Sequence, residues 1–102
     1  LTGRWFDATE AQNWGIVNHI HPAADLMTQA RAMADLIASG PPLVYAAIKE
    51  IVRDAEGSTF QDSMNRITKR QLPTVDVLYG SEDNMEGARA FAEKRDPVWK
   101  GK

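Results

Sequence analysis

The run from Ser81 to Gly101 carries the start and the stop of a helix in its own residues, and it constrains the fold more than any other stretch. Ser81 is suited to accept from the free N–H groups of a first turn, and Glu82 and Asp83 place negative charge at the positive end of the helix dipole. Lys94 and Arg95 bring positive charge to the other end, and Pro97 stops the helix while pushing Asp96 into an extended conformation. Met85, Ala88, Phe91 and Ala92 recur at helical spacing, which makes one face apolar. Phe91, Lys94 and Arg95 are neighbours on the same wheel, a ring beside two cations, able to hold an adenine ring and a phosphate. Spacing alone favours a plainer reading, with Phe91 in the core and the cations complementing the dipole. A helix C-terminus repels phosphate, and the usual anion site is an N-terminus.

The preceding residues are punctuated in the same way. Asp7-Ala8-Thr9-Glu10 has the spacing of a capping box, and Gly15 terminates the short helix that carries Ala11 and Trp14. Residues 16–21 alternate apolar and polar before Pro22, so at most one short extended segment is expected near 16–20. Asp25 to Ser39 reads as an amphipathic helix with Leu26, Ala30, Met33, Ala34 and Ile37 on one stripe. Ser39-Gly40-Pro41-Pro42 ends it, with Gly40 as a left-handed cap and proline at the first turn of the next helix. That helix, from Pro42 to about Ala55, is expected to bury Val44, Ala47, Ile48, Ile51, Val52 and Ala55 and to wet Lys49, Glu50, Arg53 and Asp54. Ser58-Thr59-Phe60-Gln61 has the Ser-x-x-Gln capping spacing. It opens a helix carrying Phe60, Met64, Ile67 and Leu72, which Pro73 ends or kinks. Residues 74–79 fit a helical turn or an extended run. The fold class is all-α.

A chain of 102 residues holds one domain at most, spanning 1–102. With 43% hydrophobic and 25% charged residues and a net charge of −2, the composition argues against disorder and against a protein that coats nucleic acid. Arg66, Lys69 and Arg70 read as a solvated helix face. Cysteine is absent, which removes disulfides and thiolate metal sites and fits a reducing compartment such as the cytoplasm. No apolar run approaches the roughly 18 residues of a membrane span, and no basic-then-apolar leader is present. The opening Leu1-Thr2-Gly3-Arg4 reads as the end of a helix already under way, with Gly3 as its cap, a hint of a longer chain.

No catalytic constellation emerges from the residues. Glu50 and Asp54 stand one turn apart, but with Lys49 and Arg53 beside them a charged exposed face is expected. His19 and His21 point the same way without a third metal ligand or a nucleophile. Ser39, Ser58 and Ser81 stand where caps are needed, and no glycine-rich phosphate loop follows a strand. Tyr45 and Tyr79 suit core or interface better than acid catalysis.

Several stretches together resemble the C-terminal part of the crotonase (enoyl-CoA hydratase/isomerase) superfamily. They are Leu1 to Arg4, Ala8 through Trp14-Gly15-Ile16-Val17-Asn18, Gly40-Pro41-Pro42-Leu43 with Ala47-Ile48-Lys49-Glu50, Ser81-Glu82-Asp83 with Glu86-Gly87, and Ala90-Phe91-Ala92-Glu93-Lys94-Arg95 running to Pro97. In this order they cover essentially the whole chain. Trp5-Phe6-Asp7-Ala8 and Phe91 to Gly101 look most like one acyl-CoA dehydratase branch.

The resemblance implies a parent enzyme of larger size, in which an N-terminal spiral of ββα turns carries the chemistry. There, two backbone N–H groups hold the thioester oxygen as negative charge develops, and carboxylates move the protons of water addition or elimination across the 2,3 bond. None of those positions maps onto this chain, so it holds no catalytic residue and no metal, and alone it is expected to be inactive. No cofactor is implied, because CoA is part of the substrate. The matching region in this superfamily packs subunits into trimers, often dimers of trimers (hexamers), and reaches a neighbouring subunit's acyl-CoA. Carried over residue by residue, Phe91 corresponds to an aromatic flanking the bound CoA or the acyl pocket and Lys94 to a lysine near the adenosine 3′-phosphate, which reverses the plainer reading of both. Two rivals stand beside this one: a stand-alone helical protein–protein module without CoA, and the tail of an isomerase, hydrolase or dehalogenase of the same superfamily.

Overall fold

A computed structural model describes residues 2–102, whose regular structure is six helices, with no strand among the described residues. They fall into two compact units, one up to Leu36 and one from Ile37 onward.

The first unit contains α1 (Ala8–Asn13) and most of α2 (Leu26–Ala38). Asp7 caps α1 as its spacing requires, the carboxylate accepting from the Glu10 N–H at 2.8 Å. Gly15 ends the helix at φ +75°, a conformation that costs glycine nothing. Arg4 pairs with both carboxylate oxygens of Glu10, and its guanidinium lies 5.2 Å from the centroid of the Trp14 ring. Residues 16–20 pair with no neighbouring strand and remain irregular. Gly3 has the left-handed φ of +65° that its reading as a cap requires, but Leu1 lies outside the described residues. Ala11 is the one buried hydrophobic residue described in this unit; the α2 stripe stays open, with Leu26 and Met33 exposed.

The second unit holds α3 (Pro42–Glu56), α4 (Phe60–Thr68), α5 (Pro73–Gly80) and α6 (Glu82–Glu93). Helix α3 packs on α4 and α5, and α5 packs on α6. The core is Ala47, Leu72 and Val75, flanked by Ile51, Ile67 and Leu78. Of the α3 residues expected inside, Ala47 is buried and Ile51 half-buried, whereas Ile48 and Val52 stay exposed, because α4 and α5 cover only one side of the stripe.

Four local readings change here. The cap of α4 is Thr59 rather than Ser58: the Thr59 hydroxyl accepts from the Asp62 N–H at 3.1 Å, while Ser58 accepts from Arg66. Pro73 opens α5 at its first turn, where its missing N–H costs nothing, instead of ending or kinking the helix before it, which stops at Thr68, and residues 74–79 are helical. Gly40 is not left-handed. A Cβ there would stand 1.9 Å from the Tyr45 hydroxyl oxygen, so the Tyr45 side chain occupies the space that glycine leaves and would have to shift for any other residue.

The fourth concerns charge. Glu50 and Asp54 are half-buried tertiary ties, not a wet face. Glu50 accepts from the Thr74 N–H at 2.8 Å and from the Thr74 hydroxyl, capping α5, whose own N-cap Leu72 has no side-chain acceptor. Asp54 takes a two-pronged bond from Arg66 at 2.8 and 3.0 Å, which holds its carboxyl below the usual carboxylate range. Arg70 lies 4.7 Å from the Tyr79 ring centroid. The basic cluster is thus largely engaged rather than solvated.

Candidate functional site

Ser81 starts α6 as its sequence position dictates. Its hydroxyl accepts from the Asn84 N–H at 3.1 Å and donates to the Leu78 carbonyl at 2.7 Å, joining the end of α5 to the start of α6. Asp83 and Ala90 are the buried residues of α6. The predicted stripe points elsewhere: Met85 is 62% and Phe91 88% exposed.

At the other end, α6 closes on Lys94, at φ 53° and ψ 43°. The Lys94 N–H donates to the Phe91 carbonyl at 3.3 Å and the Arg95 N–H to the Ala90 carbonyl at 3.1 Å, the paired bonds of a Schellman closure. These bonds occupy two of the carbonyls that give a helix C-terminus its negative character, which eases the objection to an anion nearby.

From Arg95 the chain runs back along α6. The Arg95 guanidinium grips both Glu86 oxygens at 2.6 and 3.0 Å, and it also bonds Glu93 at 2.6 Å and the Asp96 carbonyl at 3.1 Å. Glu86 accepts in addition from the Val98 N–H at 2.9 Å. Trp99 rests on α6 where Gly87 leaves room, since a Cβ there would lie 3.3 Å from the ring. Nearer the start of α6, the buried Asp83 carboxylate accepts from the Lys100 and Gly101 N–H groups, both at 2.8 Å, and the Asp83 N–H donates to the Lys102 carbonyl at 3.2 Å.

The three residues that spacing placed together therefore separate by role. Arg95 is spent on α6. Phe91 presents its ring outward, and the Lys94 side chain is exposed, with no acidic partner among the described residues. The part of the arrangement free for a ligand is one aromatic face and one cation. His19 and His21 have ring centroids 6.0 Å apart, and no group of three His, Cys, Asp or Glu that could hold a metal exists among the described residues.

Sequence reasoning missed Asp83 and Glu86 as anchors of the last eight residues. Their signal was the Asp-x-x-Glu spacing on one helix face opposite a proline-broken tail, but such spacing serves equally for a dipole-compensating first turn.

The Arg95 guanidinium, helped by the Val98 N–H, brings the Glu86 carboxyl down to about 2 and raises the guanidinium's own value. A depressed folded value means that the pair adds stability above the unfolded carboxyl's ordinary 4.5 and loses that contribution as pH falls through about 2. An NMR titration of the Glu86 side chain should give a midpoint near 2. A midpoint at the ordinary 4.5 would mean that the pair does not form in solution.

The chain matches known proteins along its whole length. The family profile described as enoyl-CoA hydratase/isomerase matches residues 1–102. A carnitinyl-CoA dehydratase of Escherichia coli O157:H7 is 44% identical over 100% of this chain, which spans 39% of that relative's length. Among solved structures, an enoyl-CoA hydratase subunit from Geobacillus kaustophilus superposes with a TM-score of 0.86 at 37% identity, over 99% of this chain and 38% of that one. The enoyl-CoA hydratase from Bacillus anthracis gives a TM-score of 0.82 at 30% identity, again over 99% and 38%.

Proposed function

Because the chain belongs to the enoyl-CoA hydratase/isomerase family, we propose that it is the C-terminal helical part of an acyl-CoA hydratase or dehydratase, with carnitinyl-CoA as the substrate its relatives suggest. Its tasks in this reading are subunit contact, within a trimer or a dimer of trimers, and a hold on the CoA end of a neighbouring subunit's substrate. The observation that carries the reading is the outward pair at the end of α6: Phe91 88% exposed and Lys94 without an acidic partner among the described residues, beside an Arg95 fully engaged.

A flat exposed ring suits an adenine face, and an ammonium on a four-carbon stem suits a phosphate held as a point charge. Water addition and elimination at the 2,3 bond need proton-moving carboxylates and an N–H pair at the thioester oxygen. This reading assigns both to the remainder of the enzyme, so the 102 residues alone are inactive. No cofactor beyond the substrate's own CoA is called for. A cytoplasmic setting accords with a cysteine-free chain, and no helix among the described residues is long and apolar enough to cross a membrane. Uncovered apolar residues on α2 and α6 support burial against other polypeptide.

The test compares the full-length enzyme with these 102 residues in an enoyl-CoA hydration assay. Activity in the former and none in the latter is expected. Measurable hydration by the 102 residues alone would overturn the assignment of the chemistry. Inactivity of the full-length enzyme on both carnitinyl-CoA and crotonobetainyl-CoA would overturn the choice of substrate.

A further inference from the structure

We infer that Glu86 is a positioning residue for the Lys94 ammonium, acting through Arg95; the inference rests on reading Lys94 as a phosphate contact. Three helices close with the same pair of backbone bonds. Helix α1 closes at Gly15, where its N–H reaches the Gln12 carbonyl at 3.0 Å and the Ile16 N–H the Ala11 carbonyl at 2.9 Å. Helix α4 closes at Arg70, with the Arg70 N–H on Ile67 at 3.0 Å and the Gln71 N–H on Arg66 at 2.8 Å. Helix α6 closes at Lys94. The left-handed residue has φ 75° in the first, 54° in the second and 53° in the third.

Glycine adopts that conformation freely, whereas a side chain with a Cβ resists it, so the two cationic closures need support beyond the backbone. Arg70 finds it in its own side chain, laid over the Tyr79 ring. Lys94 makes no such contact with the described residues. Its support comes from the next residue: Arg95 is held by both Glu86 oxygens, and Glu86 also fixes the Val98 N–H. With the helix clamping the chain before Lys94 and Glu86 clamping it after, the left-handed turn is retained and the lysine stem leaves from one fixed point. Without the clamp, Lys94 relaxes toward negative φ and the ammonium is no longer presented in one place. The arrangement accepts a disfavoured backbone angle in order to keep a free cation at a site where glycine would close the helix better.

The experiment measures KM and kcat of the full-length enzyme on an enoyl-CoA ester and on its 3′-dephospho counterpart. Glu86→Gln keeps an acceptor for Val98 but releases the charge clamp. It should raise KM for the phosphorylated ester roughly three- to fivefold at unchanged kcat, the pattern of lost uniform binding. KM for the dephospho ester should not move, and Glu86→Gln should add nothing in a Lys94→Ala background. Arg95→Gln, breaking the same pair from its other side, should repeat the pattern should Glu86→Gln fold poorly. If Lys94→Ala itself leaves KM unchanged, the phosphate reading falls and this inference with it. If Lys94→Ala raises KM while the clamp variants do not, or if they raise it equally on the dephospho ester or in the Lys94→Ala background, the inference alone is overturned.

Discussion

Replacing Asp83 with alanine should lower the stability of the second unit by about 3 kcal/mol and release residues 98–102 from α6. Asp83 is 3% exposed, and its carboxylate accepts two backbone N–H bonds at 2.8 Å, from Lys100 and Gly101. Bonds to an ionised acceptor contribute about 1.5–3 kcal/mol each. The loss falls short of the full sum because both freed N–H groups lie at an edge where water can reach them. Asp83→Asn keeps the shape and one accepting oxygen, but turns an NH₂ toward one of the N–H groups, so it should recover about half of the stability. Urea unfolding of the full-length protein, with hydrogen exchange at the Lys100 and Gly101 amides, checks both variants. An alanine variant with an unchanged midpoint and protected amides would mean that the tail is held by Trp99 and Glu86 alone.

Lys94→Ala and Phe91→Ala should each raise KM for the CoA ester about tenfold in the full-length enzyme, with kcat retained. Tenfold corresponds to about 1.4 kcal/mol, less than a buried charge-assisted bond because Lys94 is exposed to water. For Phe91 the figure is a fraction of the roughly 1.5–3 kcal/mol for covering such a ring completely. Both contacts lie remote from the reacting bond and hold substrate and transition state alike, so KM moves and kcat does not. Salt separates the two. The Lys94 effect should shrink as ionic strength rises and the Debye length contracts, whereas the Phe91 effect should persist. Flat KM values for both variants would remove the CoA contact from this chain and leave subunit packing as its role.

The helices and most of their ends were legible in the sequence because capping is a local event. Asp7, Ser81 and Gly15 do their work within four residues of where they stand, and spacing reveals them. The error at Ser58 has the same origin. Two adjacent hydroxyl residues both satisfy the local pattern, and the choice of Thr59 went with the engagement of Ser58 by Arg66, eight residues away. Gly40 looked like a left-handed stop because glycine just after a helix often is one; the Tyr45 ring that occupies the space of its missing side chain is a contact that no dihedral preference announces.

What the residues alone determined, then, is an all-helical chain, its breaks, and the family to which these motifs belong. Tertiary structure decided which charges are free. A carboxylate or guanidinium looks the same in a sequence whether it faces water or a buried N–H group, since its partner is chosen by packing between distant segments. Glu50 became the cap of α5, and Asp83 and Glu86 became the anchors of the tail. Arg95 was withdrawn from any ligand by Glu86, which left Lys94 and Phe91 as the pair facing outward.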